Sequence, residues 1–138
     1  MMAWTCPDCG RSFGRRAQPH SCVRSPSVQD WLSVRDPQAV QVVEAVRRHV
    51  ETLGEAYLEA TRDAVMVKRA RTFAEVKIRP HRTELSFIVS RRVDDPRVVR
   101  TLDLTQTRIV HVVELSGPAD VDQQILDWLT EAYEASPR

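Results

Sequence analysis

Apolar residues recur at Val40, Val43, Val46, Val50 and Leu53, a spacing of three and four that traces one face of a helix. Asp36-Pro37 marks its start, a capping side chain followed by proline at the first helical position, and Gly54 supplies the stop. Ahead of it, Ser27 caps a helical turn over 28–34, with Asp30 in the favourable first turn. Beyond Gly54 the period changes to two. Strands are expected over 64–69, 72–79 and 83–90, the last two joined as a hairpin by Pro80-His81-Arg82. In the middle strand Phe73, Glu75, Lys77 and Arg79 alternate with Ala74, Val76 and Ile78. Asp95-Pro96 repeats the cap-and-proline signal and predicts a short helix over 96–102. Residues 108–115 are apolar on both faces, at Ile109, Val110, Val112 and Val113, as in a covered central strand. After the break at Ser116-Gly117-Pro118, a final helix over 119–135 buries Val121, Ile125, Trp128, Leu129 and Tyr133. This order implies an α+β fold: an antiparallel sheet of about four strands with helices packed on one face.

All three cysteines lie within residues 6–22 of the 138. An odd, clustered count in a reducing compartment points to metal instead of disulfides. Cys6-Pro7-Asp8-Cys9-Gly10 has the form of a metal knuckle, in which two thiolates two residues apart reach one ion and glycine permits the backbone after the second. His20 and Cys22 complete the set, so that Cys6, Cys9, His20 and Cys22 form a closed tetrahedral shell around one zinc ion. Closure leaves no position for a reactive water, which makes the site structural. The His20-Ser21-Cys22 spacing is tighter than is usual for such fingers. Trp4 and Phe13 are its small apolar cover. The expected organisation is a zinc knuckle over 1–24, a linker and helical turn over 25–36, and the α+β domain over 37–138.

The net charge of +1 conceals an uneven distribution. Residues 68–108 hold eleven basic against five acidic groups, while residues 109–138 hold one against six, so a basic middle is flanked by an acidic helical end. On the solvent face of a sheet, Lys68, Arg69, Arg71, Lys77, Arg79 and Arg82 form a surface able to neutralise phosphates, and Arg11, Arg15 and Arg16 add to it from the knuckle. The reading is therefore a non-catalytic zinc-containing binding module for nucleic acid or another anionic partner. Its first rival is a protein–protein adaptor in which the knuckle docks a protein partner. Its second is a metal-dependent nuclease using Asp63, Glu75 and Lys77, the carboxylates holding a divalent ion beside the lysine. No nucleophile constellation, phosphate loop or dinucleotide fingerprint is present in the sequence. No apolar run reaches the length of a membrane span, and Trp4 and Thr5 lead straight into the knuckle, so a cytoplasmic address and no membrane contact are expected.

Three stretches together resemble a family. Cys6-Pro7-Asp8-Cys9-Gly10-Arg11 with Gln18-Pro19-His20-Ser21-Cys22 resembles the N-terminal zinc knuckle on some members of an uncharacterised prokaryotic family, domain of unknown function 5655. Phe73-Ala74-Glu75-Val76 through Leu85-Ser86-Phe87, then Asp95-Pro96-Arg97, resembles its central hairpin and following turn. Val110-His111-Val112-Val113-Glu114-Leu115, with Asp122 and Trp128-Leu129-Thr130-Glu131-Ala132-Tyr133, resembles its closing strand and helix. More distantly, the layout is similar to YjbR-like α+β domains. The resemblance implies this architecture and a groove that His111 shares with the hairpin arginines.

Overall fold

The computed structural model describes residues 3–20 and 27–136. Two short strands, β1 (Trp4–Thr5) and β2 (Ser12–Phe13), pair antiparallel within the knuckle. The main body begins with helices α1 (Val28–Leu32) and α2 (Pro37–Glu51). Both caps act as the sequence implies: the Ser27 hydroxyl accepts the Asp30 amide, and the Asp36 carboxylate accepts those of Gln38 and Ala39. Six strands follow: β3 (Tyr57–Ala60), β4 (Ala64–Lys68), β5 (Thr72–Arg79), β6 (Arg82–Val89), β7 (Val98–Thr105) and β8 (Arg108–Leu115). A 3-10 turn (Pro118–Asp120) leads into α3 (Gln123–Ala135), capped by Asp122. No helix among the described residues is long and apolar enough to cross a membrane.

The sheet is antiparallel throughout, in the order β3-β4-β5-β6-β8-β7. It thus has six strands where about four were expected. One addition is β3, four residues whose period is too short to stand out. The other is β7, which replaces the helix expected over 96–102. Asp95-Pro96 does form a capped turn, with the Arg97 amide donating to the Asp95 carboxylate at 2.9 Å and the Val98 amide to the Asp95 carbonyl at 3.0 Å. The chain then extends, because an Asp-Pro turn satisfies the same amides as a helix start and the β-branched Val98, Val99 and Thr101 favour a strand.

Alternation sends Val65, Val67, Val76, Leu85, Phe87 and Val113 to one face, where they meet Val42, Val43 and Val46 of α2 and Ile125 and Leu129 of α3 in a single core. The helices therefore cover one face, as expected. Phe73 joins this core against Tyr133, their rings 5.7 Å apart and perpendicular, instead of lying with Glu75 and Lys77. The register explains it: Val67 pairs with Ala74 and Lys68 with Thr72, so Phe73 is the extra residue of a bulge and turns inward. At the centre, His111 stacks on Phe87 at 5.2 Å and Phe87 on Trp128 at 5.1 Å, tying β8, β6 and α3 together.

On the opposite face, Glu84 of β6 has a buried side chain ringed by three arginines. Arg79 Nε donates to it at 2.9 Å, and Arg82 and Arg100 stand at 3.5 and 3.7 Å. Burial pushes the Glu84 carboxyl up, but the hydrogen bond from Arg79 and the charges of Arg79, Arg100 and Arg82 outweigh it and hold the group below its ordinary 4.5.

Two outcomes follow from this packing. Phe87→Ala removes the middle ring of the stack and should cost about 3–5 kcal/mol in denaturant unfolding. Glu84→Gln should cost about 1–3 kcal/mol at neutral pH, since the buried charge facing three arginines is lost and one of its oxygens becomes an amide donor. A depressed folded-state pKa gives stability that is present above 4.5 and vanishes as pH falls through the folded value, so unfolding curves of Glu84→Gln and the parent should converge in acid.

Candidate metal centre and basic groove

The knuckle closes on itself through the backbone. The Gly10 amide donates to the Cys6 carbonyl at 2.9 Å and the Cys6 amide to the Arg11 carbonyl at 2.8 Å. Gly10 adopts φ of 74°, in the left-handed region that glycine enters without a Cβ clash. This turn brings Cys6 and Cys9, both buried, towards His20, so that the ligand atoms of all three lie within 4.8 Å of one another. Among the described residues it is the one group of three or more potential ligands so arranged.

The side chains are set as ligands before any ion is considered. His20 Nδ1 donates to the Gln18 carbonyl at 2.6 Å, an oxygen that can only accept, which leaves the Nε2 lone pair facing Cys9 Sγ at 3.3 Å. Orientation of a ligating imidazole through its other nitrogen is the usual outer support of a metal site. Burial pushes the Cys6 thiol up, but the amides of Cys9 and Asp8 and the Cys9 side chain draw it down from 9.0 to about 7, favouring the thiolate that a metal requires. Phe13 lies 4.2 Å from the His20 ring and Trp4 6.0 Å from it, forming the expected apolar cover. Two thiolates and an imidazole fit a metal ion. Cys22, the expected fourth ligand, lies outside the described residues.

The knuckle sits on the sheet face that the helices leave bare. Lys68 of β4 has a buried side chain whose ammonium meets Glu59 of β3 at 2.7 Å and donates to the Ser12 carbonyl of β2 at 3.0 Å. Arg11 of the knuckle reaches the same Glu59 at 3.1 Å. Gly14 packs so closely that a Cβ there would stand 3.1 Å from the Ala70 carbonyl oxygen and from Arg71 Cγ. Between knuckle and sheet a groove of about 890 Å³ opens. Arg15, Arg16, Gln18 and Pro19 line it from the knuckle side, and Lys68, Arg71, Thr72, Ile88, Leu104 and Arg108 from the sheet. Four arginines and one lysine border it, and no carboxylate does. Arg108 is half-buried; its burial, then the charge of Arg71, lower its pKa, so these two cations repel across the groove.

The predicted cations thus divide. Arg15, Arg16, Lys68 and Arg71 reach the groove, joined by Arg108, which went unnoticed because it opens a strand read as covered on both sides. Its position two before Val110, on the outward period, was the available signal. Arg11 is committed to Glu59, and Arg79 and Arg82 to Glu84. Arg69 lies elsewhere: its guanidinium donates to the Tyr133 and Ser136 carbonyls at the end of α3, at 2.9 and 3.2 Å, and covers the Tyr133 ring. Lys77 lies 3.8 Å from Glu75. Burial, and to a smaller degree the charge of Asp63, raise the Glu75 carboxyl, against the opposing pull of Lys77. No third ligand joins Asp63 and Glu75 within bonding distance among the described residues. His111 is not among the residues that line this groove. It is fully buried, with Nδ1 donating to the Ile109 carbonyl at 3.0 Å and Nε2 accepting the Val93 amide at 2.9 Å. Burial lowers its pKa, the carbonyl of Ile109 opposes that, and the charges of Arg91 and Arg92 add to it, so it is a neutral core histidine.

No curated protein and no solved structure matches the chain. The profile of the family described as domain of unknown function (DUF5655) matches residues 28–136. That span runs from the first residue of α1 past the end of α3, taking in the whole sheet and its helices and leaving the knuckle outside. With most of its length matched, the chain belongs to the DUF5655 family.

Proposed function

We propose that the protein is a non-catalytic binding module, stabilised by zinc, that takes an anionic polymer, nucleic acid first, into the groove between knuckle and sheet. The observation that carries this reading is a groove bordered by Arg15, Arg16, Arg71 and Arg108, none with a carboxylate partner among the described residues, while Lys68 beside them is paired with Glu59. Arginine predominates there, and its planar fork of donors suits phosphate better than a compact ammonium does. Gln18 and Thr72 add neutral donors, and Ile88 and Leu104 give an apolar floor for the body of a nucleotide. Zinc is the metal that suits two thiolates and an imidazole, whereas magnesium and calcium prefer oxygen ligands. With Cys22 as fourth ligand the shell has no open position, in keeping with a structural role. The nuclease reading has less support, because Asp63 and Glu75 lie away from these cations and without a further ligand.

One observation favours a protein partner instead. The edge strand β7 exposes Val99, Leu102 and Leu104, each near half accessible, on a side where no described strand pairs with it. An extended peptide can add to such an edge. Crosslinking of the purified protein to a peptide partner along β7, lost in Leu102→Lys, would favour that reading.

Metal analysis should return one zinc per chain, falling to near zero in Cys9→Ala. Fluorescence anisotropy with a labelled single-stranded oligonucleotide should show log affinity declining against log salt with a slope of about −3, as four phosphate contacts require. Arg71→Ala and Arg108→Ala should each make that slope shallower by about 1. Binding that ignores salt, or protein free of zinc, would sink the reading.

A further inference from the structure

The two sides of the groove come from parts of the chain that differ in how they hold their shape. The sheet side, with Arg71 and Arg108, rests on a core of more than twenty buried residues. The knuckle side, with Arg15 and Arg16, rests on Cys6, Cys9, Phe13 and the partly buried Trp4. So small a cluster cannot offset the entropy of ordering some twenty residues, and metal ligation supplies the difference. Among the described residues the knuckle meets the sheet through polar contacts such as the Lys68 ammonium on the Ser12 carbonyl and Arg11 on Glu59, and through the close seat of Gly14 on Ala70.

We infer that the metal centre controls the groove: metal loading docks the knuckle on the sheet, docking completes the anion site, and metal and anion therefore strengthen each other's binding. The inference rests on the groove being an anion site. Without metal, the sheet offers two arginines that repel one another on an open surface. With metal, Arg15 and Arg16 face them, and four cations enclose one volume. An anion there relieves the repulsion between Arg71 and Arg108 and bridges knuckle to sheet, so it favours the docked state. Coupling of this kind is reciprocal by thermodynamic necessity. Lys68 acts as the latch, since its ammonium already holds Glu59 and Ser12.

The test uses the full chain and a labelled single-stranded oligonucleotide. Stripping the metal with a chelator should weaken binding about ten-fold, within the usual range for coupled sites, and zinc but not magnesium should restore it. Saturating oligonucleotide should tighten zinc retention against a chelating dye by the same factor. Circular dichroism should show the sheet and helices intact in the stripped protein. Gly14→Val leaves every ligand in place while its side chain meets the Ala70 backbone and Arg71 Cγ, so it should bind oligonucleotide as weakly as stripped protein and more weakly than Arg71→Ala, which loses the same cation without lifting the knuckle; loss of zinc together with oligonucleotide binding supports the coupling equally. Salt-dependent binding that is equal with and without metal, or undiminished in Gly14→Val, overturns the control by metal and leaves the anion site standing. Absence of binding in the loaded protein overturns the anion site and the control together.

Discussion

A buried ion pair decides what kind of surface this protein has. Lys68 and Glu59, both almost inaccessible and 2.7 Å apart, sit on adjacent strands on the face that no helix covers. Two such charges are costly to desolvate and are tolerated where further hydrogen bonds satisfy them. Those bonds come from the knuckle, as the Ser12 carbonyl on Lys68 and the Arg11 guanidinium on Glu59. The pair is thus buried because the knuckle covers it, and the knuckle is held because the pair needs its donors and acceptors. Remove either partner and the other is left charged beneath an apolar lid of Phe13, whose ring lies 5.4 Å from the ammonium.

The rest of the charge on this face follows a similar logic with the opposite result at one end. Around Glu84 a single carboxylate gathers Arg79, Arg82 and Arg100, and Glu114 shares Arg82. In that cluster two carboxylates engage all three arginines and tie neighbouring strands of the sheet together. At the other end, Arg15, Arg16, Arg71 and Arg108 have no carboxylate partner among the described residues. A basic segment by composition is therefore two different things in space: cations that hold the fold together, and cations that no described carboxylate engages.

How far the chain could be read in advance varied with the range of the forces involved. Helices α2 and α3 and strands β5, β6 and β8 followed from period and caps, because one buried face dictates both. The identity of Cys6, Cys9 and His20 as a cluster followed from spacing, since a knuckle is a local object. The misread segment was 96–102, where a local rule was satisfied by a turn and then overruled by pairing with β8, which no local pattern encodes. Phe73 was assigned to the wrong face because a bulge shifts alternation by one residue without a mark in the sequence. The division of the arginines was hidden for a similar reason: whether Arg69 or Arg71 meets a carbonyl or open space depends on α3 and the knuckle, both remote along the chain.

The family's span opens at α1 and takes in the six-stranded sheet with its three helices, and the knuckle lies outside it. An open sheet face is a place where an added module can change function without disturbing a core, because nothing apolar beneath it has to be repacked. Here the addition does more than attach. It covers Glu59 and Lys68, which would otherwise face solvent, and it raises a second wall opposite Arg71 and Arg108. Neither part has the groove alone. The groove is a property of the junction, lined on one side by the knuckle and on the other by the sheet.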